Sequence, residues 1–186
     1  MVFLCYNQFK EVDNMTDKIK QVEALIDEIY RVLDVEITER NIDTPHRIAK
    51  FWCNEVFAKK DIKELDKVMK LFPNPVPLEG TPSPVICEME FSSYCEHHLL
   101  PFFGKCRIEY TPADQILGLS KFNRIVNYFS EQPQTQENLT RDICMYVKRI
   151  TKGKNVKVTL YDTTHTCVEC RGVRGKSNTT TTYFID

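Results

Sequence analysis

The chain has 186 residues, with Lys+Arg 25 against Asp+Glu 26 and 42% hydrophobic residues. That length buries a real core within one domain, and the balanced charge offers no field that would recruit nucleic acid or an anionic membrane. No stretch reaches membrane-spanning length, the apolar opening Met1-Val2-Phe3-Leu4-Cys5 is too brief for a signal peptide, and eight irregularly spaced cysteines read as cytoplasmic thiols available for metal or packing.

Residues 1–13 read as a loose tail. Over 16–33 the apolar residues Ile19, Val22, Ile26, Ile29 and Leu33 follow helical spacing. Thr44 as N-cap and Pro45 at the first helical position start a second helix through Ile48, Ala49, Trp52 and Val56. Residues 61–71 suggest a third, short helix, and Pro73, Pro75, Pro77, Pro82 and Pro84 then mark an extended crossing without regular elements. Residues 85–91 and 105–110 read as strands, and Gly118-Leu119-Ser120 opens a helix carrying Ile125, Val126 and Phe129. A further helix runs from about Thr135 through Leu139, Ile143 and Val147. Residues 155–162 alternate as a half-buried strand, and 179–185 form a last strand rich in β-branched residues. The order strand-strand-helix-helix-strand-strand predicts an α+β fold, an antiparallel four-stranded sheet with two helices on one face. The chain thus divides into the tail (1–13), an N-terminal helical region with the proline-rich crossing (14–84), and the sheet domain (85–186).

Two short segments, Cys95-Glu96-His97-His98 and His165-Thr166-Cys167, hold three of the four histidines. Thiolate and imidazole ligands drawn from two places suit Zn²⁺. Cys95 and His98 are three apart, so one tight turn can aim both at one ion, and Cys167 completes a Cys₂His set with a fourth position left open. Two thiolates make the metal a weak Lewis acid, so neighbouring acids and bases must help, and His97 and His165 are placed to do so. The alternative is a closed Cys₃His site with Cys170 as fourth ligand. It requires a knuckle-like turn, because Cys167 and Cys170 would face opposite sides of a straight strand. In a strand His165, Cys167 and Arg171 would share a face, together with Glu169. Glu96 has no evident role.

Gly118-Leu119-Ser120-Lys121 at a helix start offers backbone N–H groups and a helix dipole to an anion, with Arg124 one turn on. Arg171, Arg174 and Lys176 come just after the second cysteine segment. Together these cations could hold a polyphosphate, or simply form a solvated basic face. Gln136-Glu137 opens the next helix, where an acid is an ordinary dipole complement and also a group able to accept two donors from a guanine edge.

Taken together, the sequence resembles the GTP cyclohydrolase I family. The matching text is Cys95-Glu96-His97-His98 with Pro101-Phe102 and Gly104, then Gly118-Leu119-Ser120-Lys121, Arg124, Gln134, Gln136-Glu137 and Leu139-Thr140. His165-Thr166-Cys167, Arg171-Gly172 and the threonines at 179–182 come next, with Thr44-Pro45-His46-Arg47-Ile48-Ala49 upstream. The resemblance implies a tunnelling fold assembled side by side into rings, two rings making a homodecamer with active sites at subunit junctions. It implies zinc on Cys95, His98 and Cys167, and proton transfer by His97 and His165. It further implies a guanine anchor at Glu137 with Gln136 beside it, and Ser120, Lys121, Arg124 and Arg171 on the ribose and triphosphate, with Arg47 and Lys50 in the same set. The implied reaction is zinc-dependent hydrolysis and ring rearrangement of GTP to 7,8-dihydroneopterin triphosphate and formate, an entry to pterin and tetrahydrofolate synthesis. The alternatives are a zinc-binding oligomeric scaffold without activity, or another tunnelling-fold purine or pterin enzyme. The chain departs from the family at Gln132, where relatives often carry Arg, at Cys170, and in stopping at Asp186 where many relatives continue into a helix; an extended N-terminal regulatory arm is not expected.

Overall fold

Apolar residues at helical spacing bring the first two helices together. The computed structural model of the protein describes residues 15–76 and 84–186; the tail read over 1–13, and Pro77 and Pro82 of the crossing, lie outside the described residues. Two compact units divide between Ala58 and Lys59. In the first, α1 (Met15–Val32) buries Ile26, and α2 (Thr44–Phe51) buries Pro45 and Ala49. His46 Nδ1 lies 2.9 Å from Glu23 Oε2, which ties the two helices. The N-cap of α2 is Asp43 rather than the expected Thr44, with Pro45 still inside the first turn, where its missing N–H costs nothing. The helix continues into a π-helical turn, Trp52–Val56, closed by Phe57 N–H to the Trp52 carbonyl at 2.8 Å.

The second unit opens with α3 (Ile62–Val68), capped by the Asp61 carboxylate on Lys63 N–H. Next comes β1 (Leu71–Pro73), where no regular element was expected; it forms a two-stranded ribbon with β4 (Gln115–Leu117). Pro73 is tolerated there because it ends an edge strand. The main sheet contains β2 (Val85–Cys95), β3 (Pro101–Thr111), β6 (Lys154–His165) and β7 (Asn178–Ile185), paired antiparallel in that order. The expected four strands are joined by a fifth, the two-residue β5 (Pro133–Gln134), which lies parallel to β2 at Tyr94 and Cys95. The Gln134 amide holds it there, donating to Ser93 Oγ and to the Phe129 and Gln132 carbonyls.

Helices α4 (Leu119–Ser130) and α5 (Gln136–Thr151) cover one face of the sheet. Their buried residues Phe122, Ile125, Val126, Leu139, Ile143 and Val147 meet Phe91, Phe102, Cys106, Ile108, Tyr110, Val156, Val158 and Leu160. Each such side chain contributes roughly 1.5–3 kcal/mol on burial. The opposite face is charged, with Arg107 near both Glu88 and Glu109, and Lys157 near Glu109.

Strand β6 is irregular at one point. Its inward residues are Val156, Val158 and Leu160, then Thr163. The parity changes at a bulge, where the register slips against β7 between Leu160 and Thr163 and against β3 between Phe103 and Lys105. Asp162 takes a left-handed φ of 50° to make it. The crowded opposite position is Gly104, where a Cβ would come 2.8 Å from the Tyr161 carbonyl and 2.9 Å from Thr163 Cα. The strand therefore continues to His165, beyond the expected end at Asp162.

Candidate metal centre

Alternation along β2 turns Phe91, Ser93 and Cys95 to the helix-covered face, so the strand delivers the Cys95 thiol inward at its last residue. The chain then reverses tightly. The Cys95 carbonyl accepts from the amides of both His98 (3.3 Å) and Leu99 (2.8 Å), and Leu99 adopts a φ of 55°. This turn folds His98 back over Cys95, with Nδ1 3.6 Å from Sγ. His97 Nδ1 lies 3.8 Å from the same sulfur, and its Nε2 lies 3.6 Å from the Glu96 carboxylate, so Glu96 acquires a partner that its place in the sequence did not reveal.

The second segment arrives across the sheet. Phe102 of β3 is in register with His165, and the Thr166 hydroxyl donates to the Pro101 carbonyl at 2.6 Å. His165 is succeeded by a helical turn, α6 (Thr166–Glu169), not by more strand, so the shared strand face expected for His165, Cys167 and Arg171 does not exist. The turn points Cys167 at Cys95. The ligand atoms of Cys95, His98 and Cys167 all lie within 4.8 Å of one another, and Cys170 is outside this group. Around tetrahedral zinc, S and N donors stand about 3.5–3.8 Å apart, so small side-chain rotations close the three on one ion. Soft donors, their number and their spacing fit zinc with one coordination position left open. Burial and the nearby Cys95 sulfur push the Cys167 thiol up, the mutual effect a cation between them would reverse.

Arg171, just past α6, sets its guanidinium 2.5 Å from His98 Nε2. A guanidinium can only donate, so in this arrangement Nε2 accepts and Nδ1 carries the ring proton toward the sulfur; ligation through Nδ1 would move that proton to Nε2 and turn Arg171 away. His165 stacks on Phe102 with ring centroids 4.8 Å apart and planes 10° from parallel. Its Nε2 lies 2.8 Å from Gln136 Oε1, while the Gln136 amide nitrogen donates to the Leu160 carbonyl. The amide thereby presents oxygen to the ring, which fixes a proton on Nε2 and leaves Nδ1 as acceptor. Burial holds the His165 ring below its ordinary value, partly offset by Glu137. Gln136 is itself buried, and Thr135 caps its helix through Asn138 N–H.

Glu137 is exposed in the first turn of α5, next to this group. Ser120, Lys121 and Arg124 are not with it. They occupy the start of α4, beside the β1–β4 ribbon, where Gly118 N–H donates to the Lys70 carbonyl. The Cys95 end of the sheet adjoins the far end of that 12-residue helix near Phe129, about 12 Å from Lys121 and about 8 Å from Arg124 along its axis. Arg47 and Lys50 are exposed on α2 in the first unit, Arg47 3.5 Å from Asp43.

A family described as GTP cyclohydrolase I matches residues 20–186. A protein named GTP cyclohydrolase 1 from Yersinia pseudotuberculosis is 35% identical over 173 residues, 92% of this chain and 76% of that protein. One of the same name from Klebsiella pneumoniae is 34% identical over 174 residues, covering 93% and 76%. A solved structure described as archaeosine synthase QueF-Like in the apo form aligns with a TM-score of 0.43 at 20% identity, covering 55% of this chain and 95% of that one.

Proposed function

The chain belongs to the GTP cyclohydrolase I family, and from that premise we propose that it hydrolyses and rearranges GTP to 7,8-dihydroneopterin triphosphate and formate in the cytoplasm, with zinc held by Cys95, His98 and Cys167. The observation that carries this reading is the convergence of those three donors within 4.8 Å from two distant segments. When bound, the ion supplies the Lewis acidity that activates water for attack at an electron-poor carbon.

The chain's own residues do the rest. Guanine C8 is a poor electrophile until N7 is protonated; His97, exposed beside the cluster and steered by Glu96, donates that proton. His165 Nδ1, left free by the Gln136 contact, accepts a proton as the C–N bond is hydrolysed. Glu137 accepts from the N1 and N2 hydrogens of guanine. Ser120, Lys121, Arg124 and Arg171, with Arg47 and Lys50, hold the triphosphate and keep the opened substrate in register while its ribose rearranges.

Because one protomer sets Lys121 about 12 Å along α4 from the end that adjoins Cys95, we place the site between neighbouring subunits. The open edges of the sheet supply the means: β5 covers β2 only at Tyr94 and Cys95, and the outer side of β7 has no strand beside it among the described residues. Pairing those edges closes a tunnelling-fold ring, two of which form the homodecamer. The deciding experiment incubates the purified protein with GTP, with and without chelator, and measures formate and pterin fluorescence. Formate and a fluorescent pterin, both abolished by the chelator and restored by zinc, are expected. A zinc-loaded oligomer that yields neither is a scaffold and overturns the reading.

A further inference from the structure

Cys167 and Cys170 are separated by Val168 and Glu169 on the helical turn that succeeds β6, and Cys170 N–H closes that turn on the Thr166 carbonyl at 2.9 Å. Residues three apart on a helical turn are side-chain neighbours, and the Cys-x-x-Cys interval lets two sulfurs bridge with little backbone movement. The two thiols have different surroundings. Cys167 is half-buried and faces Cys95 and His98, whereas Cys170 is exposed and lies outside the donor group. Cys95 is buried, at 8% exposure, so among the three sulfurs at this end of the sheet an oxidant in solution meets Cys170 first. The next residues, Arg171–Arg174, are exposed and turn through left-handed conformations at Gly172 and Arg174, so little packing resists a tightening of the turn.

We propose that Cys167 and Cys170 form a peroxide-sensitive dithiol that removes a metal ligand when it closes. The Cys170 sulfur attacks hydrogen peroxide; an S–O bond forms, the O–O bond breaks, and water leaves with the thiol proton. The Cys167 sulfur then attacks the Cys170 sulfenic acid; an S–S bond forms, the S–O bond breaks, and a second water leaves. Two electrons pass from the sulfurs to the peroxide, and a dithiol reductant reverses the change. With its sulfur in the bridge, Cys167 no longer ligates, and Cys95 and His98 alone hold zinc weakly. The metal-release half of this inference rests on the proposed zinc site; the bridge itself does not.

The test treats the zinc-loaded full-length protein with hydrogen peroxide beside a chromogenic zinc indicator, then alkylates, digests and weighs the peptide carrying both cysteines. Expected are a peptide lighter by two hydrogens and resistant to alkylation, release of about one zinc per chain, and rebinding after reduction. Cys170→Ser and Cys170→Ala, both changes at an exposed position, should release zinc about tenfold more slowly at the same peroxide dose. Zinc release at the wild-type rate from both variants, or a Cys95–Cys167 bridge with Cys170 still alkylated, overturns the proposal. If the protein holds no zinc at all, the metal assignment has failed, and peptide mapping of the same sample still decides whether the bridge forms.

Discussion

Adjacent histidines in this chain answer to different partners. His98 faces Cys95 and Cys167, whereas His97 turns its other ring nitrogen to Glu96. His98→Ala is therefore expected to lose both zinc, by metal analysis, and turnover. His97→Ala should keep its zinc and lose turnover by roughly 10²–10⁴-fold; normal turnover would remove His97 from the chemistry. The three donors that converge were legible in the sequence because thiol and imidazole chemistry, and the three-residue interval between Cys95 and His98, can be read from residue identity and spacing. The pairing of Gln136 with His165, the Phe102 stack and the Arg171 contact were not, since each joins residues brought together only by the fold. Gly104 illustrates the same limit, as its need for a missing Cβ is set by Tyr161 and Thr163 on another strand. Gly104→Ala should destabilise the protein by about 1–3 kcal/mol in urea unfolding, because backbone atoms must give way.

At the scale of elements, periodicity located every long helix and strand and failed where length or regularity ran out. The two-residue β5 and the four-residue α6 are too short to show a period, and the π-helical turn after α2 has no sequence signature of its own. Helix α3 is tied to α5 through Asp66, which accepts from Tyr146 Oη at 2.8 Å and from Arg149 at 2.6 Å. The Arg149 and then the Tyr146 hydrogen bonds hold the Asp66 carboxyl below its ordinary value. A folded-state pKa lowered in this way adds stability above the unfolded pKa and loses it as pH falls through the folded one. Asp66→Asn should accordingly lower Tm at pH 7. Its difference from wild type should begin to shrink as pH falls below roughly 4 and disappear only below the lowered folded pKa, where the carboxyl is neutral in both states. A gap independent of pH would deny the charge any part in joining these helices.

For the whole molecule, the proposed anion-holding role of Ser120, Lys121 and Arg124 rests on their residue types at a helix start, whereas sequence order carries no information about which copy of the chain such a helix would face. If the site is shared, two inactive variants can repair each other. His98→Ala mixed with Lys121→Ala, dissociated and reassembled together, should regain GTP turnover at junctions that combine the intact halves. A mixture as inactive as its components would place all groups within one chain. The β6 bulge carries a consequence of another kind. It acts as a phase-shifter: one additional residue decides which side of the sheet everything downstream will occupy, while the pairing before it is untouched. Deleting Asp162 should yield a folded protein with an intact Val156–Leu160 core whose His165 ring has moved from the helix-covered side to the charged side. Loss of its Phe102 stack, read from the imidazole proton shifts, would report the move. Access to chemistry at this end of the sheet is thus an odd-or-even property of the chain, reversible by a change of a single residue in length.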